Sequence, residues 1–158
     1  MPSVQPIPDG YRTLTPYLVV ADGAGAVAFY ETVLGAKLRL KLDGPDGKLG
    51  HTELEIGDSV IMLADEHPEH QAFAPGHFGG SPITLHLYVE DADAVVARAT
   101  QAGAKLTRPV ENQFYGDRSG SFTDPFGHIW HIATHIEDVP PKEIERRAAT
   151  LMQKEQSE

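Results

Sequence analysis

An α+β fold is predicted, made of two βαβββ modules and a C-terminal helix. Three observations predict it. First, four short blocks recur in the same order. Leu18-Val-Val-Ala-Asp22 returns as Leu87-Tyr-Val-Glu-Asp91, and Gly23-Ala-Gly-Ala-Val-Ala28 as Ala92-Asp-Ala-Val-Val-Ala97. Gly35-Ala-Lys-Leu38 matches Gly103-Ala-Lys-Leu106, and Ser59-Val-Ile-Met-Leu63 sits opposite His128-Ile-Trp-His-Ile132. Such ordered repetition marks a duplicated supersecondary unit. Second, the apolar period within each copy switches from two to helical and back. Third, the chain has 158 residues, 41% of them hydrophobic, and no Cys. A globular chain of this length buries roughly 68–70% of its unfolded surface, enough to stand without disulfides.

The elements follow in order. Leu14–Val20 alternates apolar and mixed residues, as a half-buried strand does. Val27, Tyr30, Val33 and Leu34 fall at helical spacing, and Gly35 supplies a left-handed C-cap. Lys37–Lys41 reads as a strand, and Gly44-Pro-Asp-Gly47 as a turn. His51–Ile56 and Ser59–Ala64 make a hairpin around Gly57-Asp58. The second copy gives strand Ile83–Val89, a helix from Asp91 to Ala102, then strands Ala104–Arg108, Gly120–Thr123 and Ile129–Thr134. The Pro-, Gly- and His-rich stretch between the copies is longer than a simple turn, a length typical of lids and binding loops. Pro140-Pro141 opens a last helix, where Ile144, Ala148, Leu151 and Met152 form a narrow apolar stripe. The paired modules are thus expected over 1–138: module one at 12–65, a linker loop at 66–82, module two at 83–138. The C-terminal helix occupies 139–158.

Charge and composition exclude several functions. With 13 Lys+Arg against 23 Asp+Glu, the formal net charge is −10. No basic stripe exists to track phosphates, so nucleic acid is excluded as a partner. Nine carboxylates and no Lys or Arg lie between Glu53 and Asp93. That stretch reads either as a solvated acidic surface or as a field that draws in a cationic ligand. No apolar run approaches the ~20 residues that span a bilayer. Met1–Pro6 lacks the basic and apolar regions of a secretory leader. The expectation is a cytoplasmic protein without a membrane partner. Gly23-x-Gly25-x-x-Ala28, with Asp43 downstream, imitates a dinucleotide fingerprint. The second copy carries Ala92 and Ala94 in place of those glycines, and hairpins follow rather than βαβα units, so the reading is rejected. No Gly-x-Ser-x-Gly elbow of a serine hydrolase occurs.

The duplicated unit, together with Phe29-Tyr30-x-x-Val-Leu-Gly35 and Asp124-Pro-Phe-Gly-His128, resembles the vicinal oxygen chelate superfamily over roughly residues 12–138. His51-Thr-Glu-Leu-Glu-Ile-Gly57 and Tyr115-Gly-Asp-Arg118 look most like its glyoxalase/bleomycin-resistance branch. The resemblance implies two modules forming a cup-shaped mixed sheet with helices outside, and a homodimer whose cup is closed within one chain or across two. It also implies that a family metal would sit at Thr15, Met62, Thr84 and His131. A divalent ion wants imidazole and carboxylate donors, and of these four only His131 qualifies. No metal or other cofactor is therefore expected. A divalent ion remains the alternative, including a relocated set of His86, His131 and Glu53.

Strand alternation sorts the other candidates. Leu14, Leu18, Ile83, Leu85 and Leu87 are expected to face the helices. Thr15, Tyr17, Thr84, His86 and Tyr88 are expected to face the cup, with Val60, Met62, Ile129, His131 and Ala133 from the last strands, joined by His51, Glu53 and Glu55. His86 and His131 read either as histidines satisfied within a polar lining or as ligand contacts and general bases. Arg118 reads as a bidentate clamp on a ligand carboxylate or as part of a self-stabilised Asp117–Arg118 turn. Phe114 and Tyr115 read as stacking surfaces or as exposed turn aromatics. The loop histidines His67, His70 and His77 have no metal-like spacing, and Trp130 reads as core. The functional expectation is capture of a small organic molecule in the cup. The alternative is a metal-dependent or His/Glu-based lyase, isomerase or dioxygenase. The sequence assigns no catalytic residue.

Overall fold

A computed structural model describes residues 3–157. Met1 and Pro2, at the start of the segment read for a leader, and Glu158, at the end of the expected last helix, lie outside the described residues. The chain divides into two units, one of Met1–Ile83 with Asp124–His128, the other of Thr84–Thr123 with Ile129–Glu158. Among the described residues, no helix is long and apolar enough to cross a membrane.

The first unit contains β1 (Tyr17–Val20), α1 (Gly23–Leu34), β2 (Lys37–Asp43), β3 (Leu49–Ile56) and β4 (Ser59–Asp65). The strands lie in the order β1-β4-β3-β2, with β1 parallel to β4 and the other pairs antiparallel. Asp22 caps α1 by accepting the Gly25 amide at 3.0 Å, and Gly35 ends it at φ 65°. L-residues with a side chain pay for that left-handed conformation, so glycine is the natural stop. The helix buries Phe29, Tyr30 and Val33. The core on the same side of the sheet includes Leu18, Leu54 and Leu63.

Asp124–His128 belongs to this first unit, and it explains why two distant motifs coincide. The buried Tyr30 hydroxyl donates to Asp124 Oδ2 at 2.5 Å. Asp124 Oδ1 accepts the Phe126 and His128 amides, both at 2.9 Å. Phe29 and Phe126 meet edge to face at 6.0 Å, and His128 Nε2 lies 2.9 Å from the Val19 carbonyl.

The second unit contains β5 (Thr84–Tyr88), α2 (Ala92–Gln101), β6 (Lys105–Asn112), β7 (Asp117–Thr123), β8 (Ile129–His135) and α3 (Pro141–Glu155). Its strand order, β5-β8-β7-β6, repeats the first sheet, with β5 parallel to β8. Asp91 caps α2 through the Ala94 amide, as Asp22 does for α1. Val95, Val96, Phe122, Trp130 and Ile132 are buried. Gly116 sits at φ 100°, where an added Cβ would collide with the Glu137 carbonyl. Its own carbonyl accepts the Ile136 and Glu137 amides, which ties β7 to the chain leaving β8. Arg147 then holds α3 by donating to the Phe114 carbonyl and to Glu137.

Three expectations are corrected. β1 begins at Tyr17, not Leu14, and β5 at Thr84, not Ile83. Leu14 and Ile83 precede the first paired rungs, so the alternation rule does not reach them, and both are exposed rather than turned to the helices. The stretch read as a Tyr115–Arg118 turn is split: Asp117 and Arg118 already belong to β7, while Phe114 and Tyr115 stay in the turn. The 66–82 stretch carries two 3-10 turns, Pro68–His70 and Pro75–Phe78, and a bridge between His67 and Ala72.

Candidate ligand-binding faces

Each sheet has a helix on one face, and the register decides what lies on the other. In the first unit, Tyr17 on β1 stands opposite Met62 on β4, which stands opposite Glu53 on β3. This row, with His51 two residues before Glu53, forms one polar, ring-bearing group. The Tyr17 hydroxyl lies 3.0 Å from His51 Nδ1, and His51 Nε2 lies 3.2 Å from Glu53 Oε1. With Glu53 ionised, Nε2–H donates to the carboxylate and Nδ1 accepts from Tyr17, which fixes the tautomer. The Tyr11 hydroxyl beside Glu53 holds its carboxyl below the usual range, against the opposing effect of burial; His51 and Arg39 contribute in the same direction as Tyr11. Burial pushes the Tyr17 phenol up. The Arg39 guanidinium sits 5.0 Å over the Tyr11 ring. Chemically, this is an aligned carboxylate, imidazole and phenol, able to accept a proton at one end and hold it at the other.

In the second unit, the corresponding row is His86, His131 and Ser121. The two imidazole rings are 4.8 Å apart, and Tyr88 lies 4.9 Å from His86. Ser121 Oγ is 2.7 Å from His131 Nδ1. Burial, then His86, lowers the His131 pKa and favours the neutral ring. A second cluster adjoins this row. The buried Asp117 accepts the Tyr88 hydroxyl at 3.0 Å on Oδ2 and contacts His135 Nδ1 at 2.7 Å on Oδ1. His135 Nε2 is 2.8 Å from Asp138. Hydrogen bonding to Asp117 and then Asp138 raises the His135 pKa.

The candidate residues therefore fall into separate groups. Tyr17, His51, Glu53 and Met62 share one face of the first sheet, and His86 and His131 one face of the second. Thr15 lies just ahead of β1, half-buried and outside the ladder. Thr84 is the exposed first residue of β5, opposite Ile129. Arg118 is not on the face that carries His131. Its strand neighbours alternate, and its guanidinium pairs bidentately with Asp93 at the start of α2, at 2.6 and 2.9 Å. Phe114 and Tyr115 meet edge to face at 5.2 Å in the turn, whose Phe114 carbonyl accepts from Arg147 on α3, and Tyr115 is close enough to Tyr88 to raise its pKa, after the larger effects of Asp117 and burial. The sequence reading missed Tyr11, Arg39, Ser119 and Ser121, and left Tyr88 and Asp117 out of its site. Strand parity, extended from His131 to its neighbour strand, would have found Ser119, Ser121 and Asp117.

The positions where the resemblance puts a metal do not fit one. Two hydroxyls, a thioether and one imidazole are a poor donor set for Mg, Mn, Ni or Zn. Among the described residues, no group of three His, Asp or Glu is arranged to hold an ion.

Against known proteins, residues 12–132 match the family model of the Glyoxalase/Bleomycin resistance protein/Dioxygenase superfamily. Over 135 residues the chain is 41% identical to the Mycobacterium tuberculosis protein Rv0887c, covering 84% of this chain and 79% of that one. The crystal structure of TioX from Micromonospora sp. ML1 aligns with a TM-score of 0.63 at 26% identity, over 79% of this chain and 99% of TioX. The structure of the Arabidopsis thaliana product At5g48480 aligns at 0.62 and 28% identity, over 78% of this chain and 98% of that one.

Proposed function

Because the chain belongs to the Glyoxalase/Bleomycin resistance protein/Dioxygenase superfamily, we propose that it binds a small organic molecule on the ring-bearing sheet faces, without a divalent metal. One observation carries this reading: Thr15, Met62 and Thr84 stand where the family resemblance calls for metal ligands, while tyrosine and histidine rings line the same faces. Planar rings and a few fixed polar atoms are what small-molecule sites are made of. Self-association goes with it. Leu38, Leu40 and Leu42 on the edge strand β2, and Leu151 and Met152 on α3, stay exposed and offer apolar area to a second copy.

Thermal denaturation tests the proposal. Added Ni, Zn, Mn or Fe should leave the melting temperature unchanged, and purified protein should carry well under one metal per chain. A planar aromatic ligand at about a hundredfold excess over Kd should stabilise by about 2.7 kcal/mol. His131→Ala or Tyr17→Ala should reduce that gain. Stoichiometric metal held by His131 would overturn the reading.

The Tyr17–His51–Glu53 alignment favours a second reading, a metal-independent acid–base enzyme of the lyase or isomerase class. Activity that survives chelation and disappears in His51→Ala would decide for it.

A further inference from the structure

We propose that the second sheet holds a latched subsite for a protonated amine: the ligand's ammonium displaces the Tyr88 hydroxyl from Asp117 and takes up Ser119. The inference rests on the small-molecule reading above and names the ligand chemistry of one of its two faces.

The register defines the latch. Tyr88 on β5 stands opposite Ala133 on β8, and Ala133 stands opposite Ser119 on β7. The three share one face. Yet the Tyr88 hydroxyl bonds to Asp117, two residues before Ser119 on the same strand. The ring must therefore cross β8 above Ala133. The residues along this path are small and closed off, with Ala133 0% and Ser119 1% exposed, whereas Tyr88 itself is 61% exposed. A surface ring tied down by one hydrogen bond is covering a strand floor of small side chains.

Under that cover, Ser119 Oγ is buried without a hydrogen-bond partner. Buried hydroxyls are normally paired, because leaving one unpaired forfeits its hydration for nothing in return. Thr52 Oγ1 is also unpaired, but it stands opposite Leu63, next to Leu54, on the helix side of the first sheet, packed in core. Ser119 lies on the face away from the helix, beside a buried carboxylate.

The chemistry selects the occupant. Asp117 and Ser119 are two residues apart on one strand face, about 6.6 Å of rise. One nitrogen donating at ~2.8 Å to each side fits that gap once the carboxylate leans toward it. Asp117 repels an anion, and a neutral donor gains less from a buried carboxylate than an ammonium does. The adjoining imidazole of His131 favours its neutral form, so it adds little opposing charge. Two cations oppose the ammonium: His135, which contacts Asp117 Oδ1 at 2.7 Å with its pKa raised and so leaves Oδ2, the oxygen Tyr88 occupies, to the ammonium, and Arg108, opposite Ser121, further along the face. The chain's net charge of −10 favours approach of a cation.

The first sheet supplies an internal control. There Tyr17 also crosses its partner strand, but over Met62, and lands on His51, which is already paired with Glu53. No buried unpaired hydroxyl lies on that face among the described residues.

Benzylamine, benzyl alcohol and benzoate, one ring with three end groups, test the proposal by calorimetry and thermal shift. Benzylamine should bind at least tenfold more tightly than the other two. Tyr88→Phe keeps the ring and removes the competing hydroxyl, so it should tighten benzylamine several-fold. Ser119→Ala should weaken it, and Asp117→Asn should weaken it tenfold or more. If Asp117→Asn fails to fold, the Tyr88 and Ser119 variants decide. Equal binding of the alcohol or benzoate, or weaker benzylamine binding in Tyr88→Phe, overturns the amine subsite. So does the absence of benzylamine binding to the wild type. The general small-molecule reading falls only if a screen of planar compounds also finds none that binds.

Discussion

The two sheets are built alike and equipped differently. Tyr17 and Met62 stand opposite one another in the first sheet, where His86 and His131 stand in the second. The next strand adds Glu53 in one and Ser121 in the other. Each sheet also has a tyrosine that reaches diagonally over its neighbour strand, to His51 in the first and to Asp117 in the second. In the first, a methionine lies beneath the crossing and the polar groups are paired. In the second, an alanine lies beneath it and a hydroxyl is left over. Duplication has kept most helix-facing residues apolar in both copies, Thr52 and the edge residue Arg118 aside, because the core tolerates little else. The opposite faces carry no such constraint, and there the two copies have diverged. A repeat therefore identifies the fold twice over and the site not at all.

The largest effect expected from testing this comparison lies in the turns before the last strand of each sheet. In the first sheet this turn is Gly57-Asp58, with Asp58 exposed and paired to Arg12 at 3.0 Å. In the second it is Asp124–His128, whose buried carboxylate accepts three hydrogen bonds. Asp124→Ala should destabilise by about 3 kcal/mol, since it strands the Tyr30 hydroxyl and two amides. Asp58→Ala should stay within about 0.5 kcal/mol of wild type. Urea unfolding measures both, and similar losses would mean that the turns are equivalent.

Next in size are the carboxylates of the two faces. Asp117→Asn should cost about 1–3 kcal/mol, because the amide keeps one acceptor oxygen for two donors, the Tyr88 hydroxyl and His135, inside a buried site. Glu53→Gln should cost about 1 kcal/mol, as the amide oxygen still accepts from His51. The pH dependence should run in opposite directions. The Glu53 pKa is lowered in the fold, so its contribution is present above the ordinary carboxylate range and is lost as pH falls through the lowered value. The His135 pKa is raised, so its contribution is full below about 6.5 and is lost as pH rises through the raised value. His135→Ala should therefore lower the melting temperature more at pH 5.5 than at pH 9. Glu53→Gln should lower it more at pH 7 than at pH 3. The same sign in both variants would count against the distinction between the faces.

How far the sequence carries depends on what constrains each residue. The βαβββ order, the Gly35 stop and the last helix were legible, because local rules of period and capping set them. The faces of Tyr17, His51, Glu53, His86 and His131 were legible through strand parity. Strand ends were not. Parity says nothing about where pairing starts, so Leu14 and Ile83 were turned the wrong way. The Tyr30–Asp124 bond and the Tyr88 latch were illegible, since each depends on a contact between residues far apart in the chain. Arg118 shows the boundary most clearly. Its parity relative to His131 was available once β7 was recognised as beginning at Asp117. Reading Tyr115–Arg118 as a turn hid it.

The smallest expected effect tests that same residue. Arg118, half-buried, donates two bonds to Asp93 and one to Asn112 at the solvent edge of the sheet. Ion pairs at that exposure contribute little, because water screens them and the side chains lose freedom in forming them. Arg118→Ala should therefore leave the melting temperature within the scatter of replicate runs. It should also leave benzylamine binding as it is, since the guanidinium lies on the helix side of β7 while Asp117 and Ser119 project from the other. A tenfold loss of binding in Arg118→Ala, with stability unchanged, would place the guanidinium at the ligand. The division of each sheet into a packed face and a binding face would then fail at its edge, where β7 meets the start of α2.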